Sequence, residues 1–267
     1  MLRKCDDSYI QPVVAYIGAD RVKCFYLYID LIERGTQKEG AGLWVSFDEN
    51  DEIGAVMYRY YDTLHLYSRG AVPVDEALAL VKELDFKVVT GDVEAIRRLR
   101  QRLGGERYAY EESYIITAEK YMDGRSELEV QEAGKADVPE IAALMMTSDI
   151  YNSVYTYESL CDQLYARLRD GFGHLYAMRT PEGRLVATNA TNAETADMAV
   201  ISGLVTDPEM RGRGLGRAIT ASTWNVVKRA GKQGIAFLGA DNQNTLSLHR
   251  KMGYTFHGLY ARLIRED

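Results

Sequence analysis

Cysteine is scarce in this chain, and its scarcity excludes two kinds of structure. The sequence holds three cysteines, Cys5, Cys24 and Cys161. They are too few and too widely spaced for a framework of disulfide bonds or for a Cys-x-x-Cys metal site. We interpret each of them as an ordinary thiol and expect the protein to use no metal.

Long apolar runs and an excess of positive charge are also missing. No stretch approaches the roughly 20 apolar residues that span a bilayer, and the opening residues MLRKCDDSYIQ hold no apolar core of secretory length. The formal net charge is −7, which argues against nucleic acid or an anionic membrane surface as the main partner. We therefore expect a cytoplasmic protein that binds neither.

The chain does have the length and composition of a folded, multidomain protein. At 267 residues it exceeds the size at which a single hydrophobic core is typical. Its apolar content of 46% and charged content of 27% are ordinary for a globular protein. The polar run EKYMDGRS, at 119–126, is the best linker. We predict two domains, residues 1–120 and 126–267.

One stretch, ISGLVTDPEMRGRGLG at 201–216, combines features that favour a ligand. An apolar strand breaks at Asp207-Pro208, because proline fixes its own φ and restricts the residue before it. A loop with three glycines and two arginines follows, and residues 217–230 then have the apolar spacing of a helix packed against a sheet. Because the first N–H groups of a helix lack intrahelical partners, this order predicts a cradle for phosphate groups.

The stretch lacks the Gly-Lys-Ser/Thr of the P-loop and the G-x-G-x-x-G order of the dinucleotide fold. Its frame, Arg211-x-x-Gly214-x-Gly216, instead resembles the acyl-CoA-binding motif of the GCN5-related N-acetyltransferase (GNAT) family. A second block, NQNTLSLHRKMGY at 242–254, looks like the usual Asn…Leu-Tyr-x-Lys-x-Gly-Phe of that family. Two motifs in the correct order and at the correct distance make the resemblance specific.

The resemblance implies that acetyl-CoA is the cosubstrate, without a metal. The pyrophosphate would lie on the N–H groups of the loop and of the helix start, and the pantetheine arm would pair with the preceding strand. The residues that the resemblance assigns to CoA binding are Leu204, Val205, Thr206, Arg211, Gly212, Arg213, Gly214, Leu215, Gly216, Arg217 and Asn242.

The catalytic residues are specified less sharply. Attack of a neutral amine on a thioester needs one group that takes the amine proton and another that protonates the leaving thiolate. His249 stands where many family members have a tyrosine acid, so it could donate that proton or merely hydrogen-bond the sulfur. Ser202 stands where many have a glutamate base. Glu158 is our candidate base, with Glu194 and Asp197, both expected in solvent at a hairpin tip, or a water chain as alternatives.

Four tyrosines, Tyr151, Tyr155, Tyr157 and Tyr165, fall in the segment 148–169. In the family the corresponding segment lies beside the acceptor entrance. These rings are therefore expected either to line that entrance or to pack as part of an ordinary helix.

The resemblance covers a little over half the chain and implies the fold. We predict an α/β (α+β) protein in which a mixed, mostly antiparallel central sheet is flanked by helices, the acyl-CoA N-acyltransferase fold, preceded by a smaller α+β domain. Before position 120 the patterns predict helices over 74–84 and 93–103 and a strand over 108–117. This order parallels the second half but lacks the glycine motif, so the first domain is either a degenerate GNAT-like domain or unrelated.

Helix ends are predicted from capping residues. Asp92 is predicted to cap the helix that follows it, and Asp137 to form a capping box with Glu140.

The function predicted from these observations is transfer of an acetyl group from acetyl-CoA to a primary amine of a small molecule or peptide. A homodimer is one option, since GNAT proteins are often dimers. One alternative is a regulator that binds acyl-CoA without catalysis. Another is an aminoacyl transferase that uses charged tRNA, which the negative net charge of the chain makes less favoured.

Overall fold

The computed structural model describes residues 1–84, 86–104, 107–153, 155–171, 173–241 and 243–266, with the backbone alone at positions 170, 244, 245 and 248. These residues form two compact units. The first unit consists of Met1–Ile115, Leu238–Asn242 and Phe256–Asp267, and the second of Ile116–Phe237 and Gln243–Thr255. The predicted domain limits, 1–120 and 126–267, remain a prediction.

The elements up to residue 117 are, in chain order, β1 (Leu2–Cys5), α1 (Ile10–Ile17), α2 (Phe25–Arg34), β2 (Ala41–Phe47), β3 (Ile53–Tyr60), β4 (Thr63–Tyr67), α3 (Val74–Leu84), β5 (Val88–Asp92), α4 (Val93–Leu103) and β6 (Tyr108–Thr117). The predicted bounds of α3, α4 and β6 are confirmed. Two short 3₁₀ turns flank α1.

The later elements are β7 (Val130–Ala133), α5 (Val138–Met145), α6 (Asp149–Asn152), α7 (Tyr157–Asp170), β8 (Leu175–Arg179), β9 (Leu185–Glu194), β10 (Met198–Thr206), α8 (Leu215–Arg229), β11 (Gln233–Gly239), α9 (Gln243–Lys251) and β12 (Thr255–Arg265). The order of elements in the first half therefore recurs in the second. Each half has a strand, helices, three strands, a helix, a strand, a helix and a closing strand.

The sheet of the first unit includes a strand from the far end of the chain. Its order is β1-β2-β3-β4-β5-β12-β6, and β12 pairs antiparallel with β5 from Tyr260↔Asp92 to Ile264↔Val88. Among the described ladders of this unit, β4 with β5 is parallel and the rest are antiparallel. One face is covered by α1 and α2 over a core around Leu31 and Tyr58, and α3 and α4 cover a second core around Leu64 and Ile96.

The sheet of the second unit has the order β11-β10-β9-β8-β7. Its described ladders are antiparallel except for β10 with β11. One core, which includes Val138, Leu164 and Val205, lies where α5 and α7 pack on the sheet. The other includes Val186 and Ile219 and lies under α8. A mostly antiparallel sheet with helices on both faces confirms the predicted fold class.

Helix ends follow the capping residues in one predicted case and depart from them in another. The Asp92 carboxylate accepts from the N–H groups of Glu94 and Ala95 at 2.9 and 3.3 Å, as predicted. The capping box at Asp137 and Glu140 is wrong, because a 3₁₀ turn precedes α5 and the Asp137 carboxylate accepts from the N–H of Gly134 at 2.9 Å. Glu140 instead accepts from Arg179 at 2.6 Å.

Within the described ranges, no helix combines the length and the apolar character needed to cross a membrane.

Candidate functional site

A bulge interrupts β10 just before the glycine-rich stretch. Ser202 pairs with Ala190 of β9 and Val205 with Thr188, so the two residues between them are left without cross-strand partners in this ladder. Gly203 has φ +77°, a value that L side chains rarely adopt. A Cβ atom at Gly203 would also lie 3.2 Å from the Cβ of Ala190. Glycine is therefore needed here both for the backbone turn and for the close approach of β9.

On its other edge, β10 is paired for only part of its length. The described parallel ladder with β11 joins Met198–Val200 to Gln233–Ile235 and goes no further, although β10 continues to Thr206. Among residues 204–206, the backbone groups that point away from β9 therefore have no strand partner in this ladder, although the Thr206 carbonyl accepts from Arg211. An extended polar chain could pair with them as a further strand does.

The loop after β10 is fixed at its start by one buried carboxylate. Asp207 accepts from the N–H of Glu209 at 2.9 Å and from the Arg184 guanidinium at 2.6 Å. Burial opposes ionisation, but these two donors outweigh it and hold the pKa of Asp207 below its usual range. Arg211 donates from Nε to the carbonyl of Thr206 at 3.3 Å. The loop is thus tied to the end of the strand.

Beyond Arg211 the loop depends on glycine for its backbone and not for its packing. Gly212 and Gly214 have φ of +77° and +80°, and a Cβ atom at either would meet nothing within 4 Å. The space outside both residues is therefore open to a ligand. Gly216 differs, since its Cβ would lie 3.2 Å from Thr206 Oγ1, where the start of α8 approaches the end of β10.

The first turn of α8 has no side-chain cap. Gly214 is the N-cap residue and offers no side-chain acceptor. The N–H groups of Leu215, Gly216 and Arg217 precede the first intrahelical donor, which is Ala218 bonding to the Gly214 carbonyl at 3.0 Å. Arg211, Arg213 and Arg217, in the loop and the first turn, are exposed, and Arg217 donates from Nε to the carbonyl of Asp123 at 3.2 Å. Uncapped N–H groups, the helix dipole and three guanidiniums favour a polyphosphate.

Ten of the eleven residues predicted to bind CoA therefore lie together along one path, from the free edge of β10 through the loop to the first turn of α8. Asn242, the eleventh, lies outside the described residues. α8 begins at Leu215, two residues before the predicted start, because Gly214 takes the N-cap position. The link from Arg184 to Asp207 has no sequence signal, since the two residues are joined only by folding.

His249, the predicted proton donor, is buried at 4% exposure. Its ring lies 4.9 Å from that of Tyr254, which in turn packs edge-on against Trp224 at 4.8 Å. Tyr254 is 7% exposed, as expected for a core residue, and its burial raises the pKa of its phenol. Trp224 also contacts Gly234 of β11, where a Cβ atom would come within 2.6 Å of the indole. His249 thus belongs to an aromatic cluster that reaches the strand beside β10.

The predicted bases lie in different surroundings. Glu158 is exposed in the first turn of α7, where a carboxylate also stabilises the helix start. Glu194 is not in solvent as expected, because its side chain is 10% exposed and pairs with Lys232 at 2.5 Å. Asp197 accepts from the Thr195 hydroxyl at 2.8 Å. The roles predicted for these carboxylates in catalysis remain predictions.

Ser202, at the bulge, carries a polar atom without a partner. Its Oγ is buried and makes no hydrogen bond to the described residues. Ala190, the cross-strand partner of Ser202, belongs to the core under α5 and α7, so the hydroxyl faces that side of the sheet. A buried hydroxyl without a partner is costly in a folded protein. It is therefore a candidate contact for a substrate.

Groups of three or more His, Cys, Asp or Glu side chains arranged to hold a metal ion are not found in the part of the chain that the structure describes.

A family model described as FR47-like protein matches residues 182–262, a range that contains β9, β10, the glycine-rich loop and α8. The match to this GNAT-type family model lies in the C-terminal region. A comparison with curated protein sequences found no match. Solved structures of GNAT proteins also resemble the fold of nearly the whole chain.

Three of these solved structures cover nearly all of the chain. A Drosophila protein is 16% identical with a TM-score of 0.69, covering 99% of this chain and 98% of its own. A GCN5-related N-acetyltransferase from Sphaerobacter thermophilus is 15% identical with a TM-score of 0.66, covering 100% and 95%. A tandem GNAT protein from the clavulanic acid biosynthesis pathway is 10% identical with a TM-score of 0.58, covering 98% and 97%. At these identities the likeness establishes the fold alone.

Proposed function

We propose that this protein is an N-acetyltransferase that moves an acetyl group from acetyl-CoA to a primary amine. The observation that carries the proposal is the continuity of the bulge in β10 with the glycine-rich loop and the uncapped start of α8. The bulge and the short ladder to β11 offer pairing groups to an extended chain. The loop and helix offer donors to a diphosphate at the end of that chain.

Acetyl-CoA has the two parts that this path would hold. Its pyrophosphate would accept from the N–H groups of Gly214, Leu215 and Gly216, with Arg211 or Arg213 supplying charge. Open space outside Gly212 and Gly214 is consistent with that close approach. Its pantetheine amides would pair with the backbone of Leu204, Val205 and Thr206, which brings the thioester toward the bulge at Gly203.

The reaction needs groups that position the amine against the thioester and groups that transfer protons. The amine nitrogen attacks the thioester carbonyl, a C–N bond forms, the C–S bond breaks, and CoA leaves as the thiolate. A backbone N–H at the bulge would stabilise the oxyanion of the intermediate. The nitrogen loses one proton to a base and the thiolate gains one from an acid, so the protons balance.

For the acid we propose His249, because an imidazole can protonate a thiolate near neutral pH and its aromatic cluster reaches β11. For the amine side we propose that the Ser202 hydroxyl contacts the nitrogen. The proton would pass to water or to Glu158, since Ser202 itself is not a base at neutral pH.

The test is thiol release from acetyl-CoA with a panel of primary amines, together with CoA titration calorimetry on the same sample. We expect CoA binding and release of thiol that depends on the amine. Binding without turnover of any amine would overturn the proposal. Absence of CoA binding would overturn the assignment of the loop as well.

The second candidate is an acyl-CoA-binding regulator that does not catalyse transfer. The observation that favours it is the serine at position 202, where the resemblance leads us to expect a carboxylate. It predicts tight CoA binding, a change in stability or assembly on binding, and no acetylated product. Product detected by mass spectrometry with any amine would exclude it.

A further inference from the structure

A cleft of about 600 Å³ opens on the first unit, where β2 begins and where β3 turns into β4. Its volume lies in the range of sites that hold small molecules. The turn is tight, because Tyr60 pairs with Thr63 across it. The cleft is lined by Glu39, Gly40, Ala41, Arg59, Tyr61 and Asp62. All of these residues belong to the first unit, whereas the path proposed for CoA lies in the second.

Tyr61, in this turn, holds a backbone conformation that a bulky residue rarely adopts. Its φ is +51°, in the left-handed region, where glycine, asparagine and aspartate are the usual residues. Two hydrogen bonds fix the residue in this conformation. The Tyr61 N–H donates to the Gly40 carbonyl at 2.8 Å, and Arg59 donates from Nε to the Tyr61 carbonyl at 2.7 Å. Because the side chain is 55% exposed and gains little from burial, the strain indicates a functional position.

The ring of Tyr61 is held in one place beside the cleft. It packs edge-on against Tyr60, with ring centroids 4.8 Å apart. On its other side, a Cβ atom at Gly40 would lie 2.9 Å from the ring, and Gly40 itself has φ +77°, so glycine is needed there. An exposed ring whose position is fixed in advance offers its face to a cation at a low cost in conformational entropy.

The charged groups that line the cleft have both signs. Glu39 and Asp62 are exposed, and within the described part of the chain neither carboxylate has an ion-pair partner. Arg59 uses Nε on the Tyr61 carbonyl, and its guanidinium lies over the Phe86 ring at 5.6 Å. Its terminal nitrogens have no hydrogen-bond partner among the described residues. The cleft thus presents two acidic groups and one basic group to a ligand.

Three further cations lie near these residues in the chain, at Arg34, Lys38 and Lys87, and none of them lines the cleft. Arg34 lies over the Tyr60 ring at 5.3 Å. Lys38 donates to the Glu33 carbonyl at 3.1 Å. The lining therefore has a charge of −2 from its carboxylates and +1 from its guanidinium. A ligand of complementary charge has two cationic groups and one anionic group.

We propose that this cleft binds a free basic amino acid and that arginine is the best ligand. The α-carboxylate of the ligand pairs with Arg59, and its two cationic groups pair with Glu39 and Asp62. The ligand guanidinium lies on the face of the Tyr61 ring. Arginine is preferred to lysine because a guanidinium is planar, stacks on rings and is less strongly hydrated than an ammonium. This binding is independent of the acetyl transfer proposed above.

The test is titration calorimetry of the full chain with L-arginine and two analogues, in the absence of acetyl-CoA. Agmatine lacks the carboxylate, and L-citrulline replaces the guanidinium by a neutral group of similar shape. We expect L-arginine to bind with a Kd of about 1 mM or lower. Each analogue should bind about tenfold more weakly, as for one lost charge-assisted hydrogen bond. Absence of arginine binding would overturn the site, and equal affinity for either analogue would overturn the ligand class.

Variants with one charge removed connect the binding to the cleft. Arg59→Gln should bring the ratio of arginine affinity to agmatine affinity toward one. Asp62→Asn should lower arginine affinity by about tenfold. Glu49→Gln is the matched control, because Glu49 is an exposed carboxylate in the turn between β2 and β3 and does not line the cleft. It should leave the affinity unchanged. An equal loss in the Glu49 and Asp62 variants would overturn the assigned site.

Tyr61→Asn separates ligand binding from packing of the turn. Asparagine adopts the left-handed region readily, so the midpoint of thermal unfolding should rise by about 2 °C. Arginine affinity should fall about fivefold, because the ring face is lost. A role of Tyr61 in packing alone predicts the opposite, a lower midpoint with unchanged arginine affinity, and that result would overturn its place in the site.

Discussion

The Arg184 guanidinium donates to the Asp207 carboxylate at 2.6 Å, and this ion pair joins the residue before β9 to the first residue after β10. The same guanidinium also reaches Glu209 at 2.6 Å. Of the two carboxylates, Asp207 is largely buried and also accepts from the N–H of Glu209, whereas the Glu209 side chain is 75% exposed. The entry to the glycine-rich loop is therefore held mainly through Asp207.

Replacing Asp207 by alanine should lower the free energy of unfolding at pH 7 by about 1 kcal/mol, the usual cost of losing such a cap and pair. The effect should depend on pH. Because the pKa of Asp207 is lower in the folded state, its ionised form stabilises the fold above the unfolded pKa of about 4. That contribution is lost as the pH falls through the folded pKa, so the difference from wild type should shrink.

Urea denaturation of both proteins at pH 7 and pH 3 measures this difference. Glu209→Ala is the matched control, and we expect it to change stability by less than about 0.5 kcal/mol, since an exposed pair contributes little. An equal loss in the two variants would show that burial of Asp207 does not decide the effect.

Gly214→Glu should weaken CoA binding by about 100-fold or more, because it places a carboxylate among the donors that would hold the pyrophosphate. Gly231→Glu is the control at the other end of α8. Gly231 has φ +75° and, like Gly214, would have nothing within 4 Å of a Cβ atom. The backbone strain is thus matched, and calorimetry should find near-normal affinity only in the Gly231 variant. Retained affinity in Gly214→Glu would mean that the diphosphate binds elsewhere.

Ser202→Ala should separate stability from activity. Since the Ser202 hydroxyl is buried without a partner, its removal should leave the free energy of unfolding unchanged or slightly raised. If the hydroxyl contacts the acceptor, kcat/KM for the amine should fall about tenfold, as expected for one lost hydrogen bond. Thermal unfolding and steady-state kinetics test both parts. Unchanged kinetics would remove Ser202 from the site.

His249→Phe keeps a ring against Tyr254 but removes the proton donor. We expect kcat for thiol release to fall by about 100-fold, within the usual contribution of a general acid, and the CoA dissociation constant to stay the same. The pH profile of the remaining activity should lose one limb. His174→Phe is a control, since His174 is 45% exposed and pairs with Glu132 at 2.7 Å. A loss of stability with normal kcat would give His249 a structural role.

Predictions from the sequence succeeded where the pattern is local. α3 and α4 have helical apolar spacing, and Asp92 is a capping residue followed at once by a helix, so their bounds could be read directly. The capping box at Asp137 failed because its carboxylate accepts from the N–H of Gly134 at 2.9 Å and from Arg179, 42 residues away along the chain, at 2.8 Å. The expectation that Glu194 lies in solvent was wrong for a similar reason, because nothing in the sequence indicates that Lys232 lies next to it.

The sequence by itself determined the backbone path proposed for CoA, because strand, turn, glycines and helix follow one another within 201–216 and their conformations are set by neighbouring residues. Only the tertiary structure decided what surrounds that path. The pairing of β10 with two neighbours creates the bulge at Gly203 and leaves the Ser202 hydroxyl unpaired. Packing also buries His249 and places β12 beside β5 in the first unit. These contacts join residues that are far apart in the chain. They depend on which apolar surfaces pack against each other and not on local conformation.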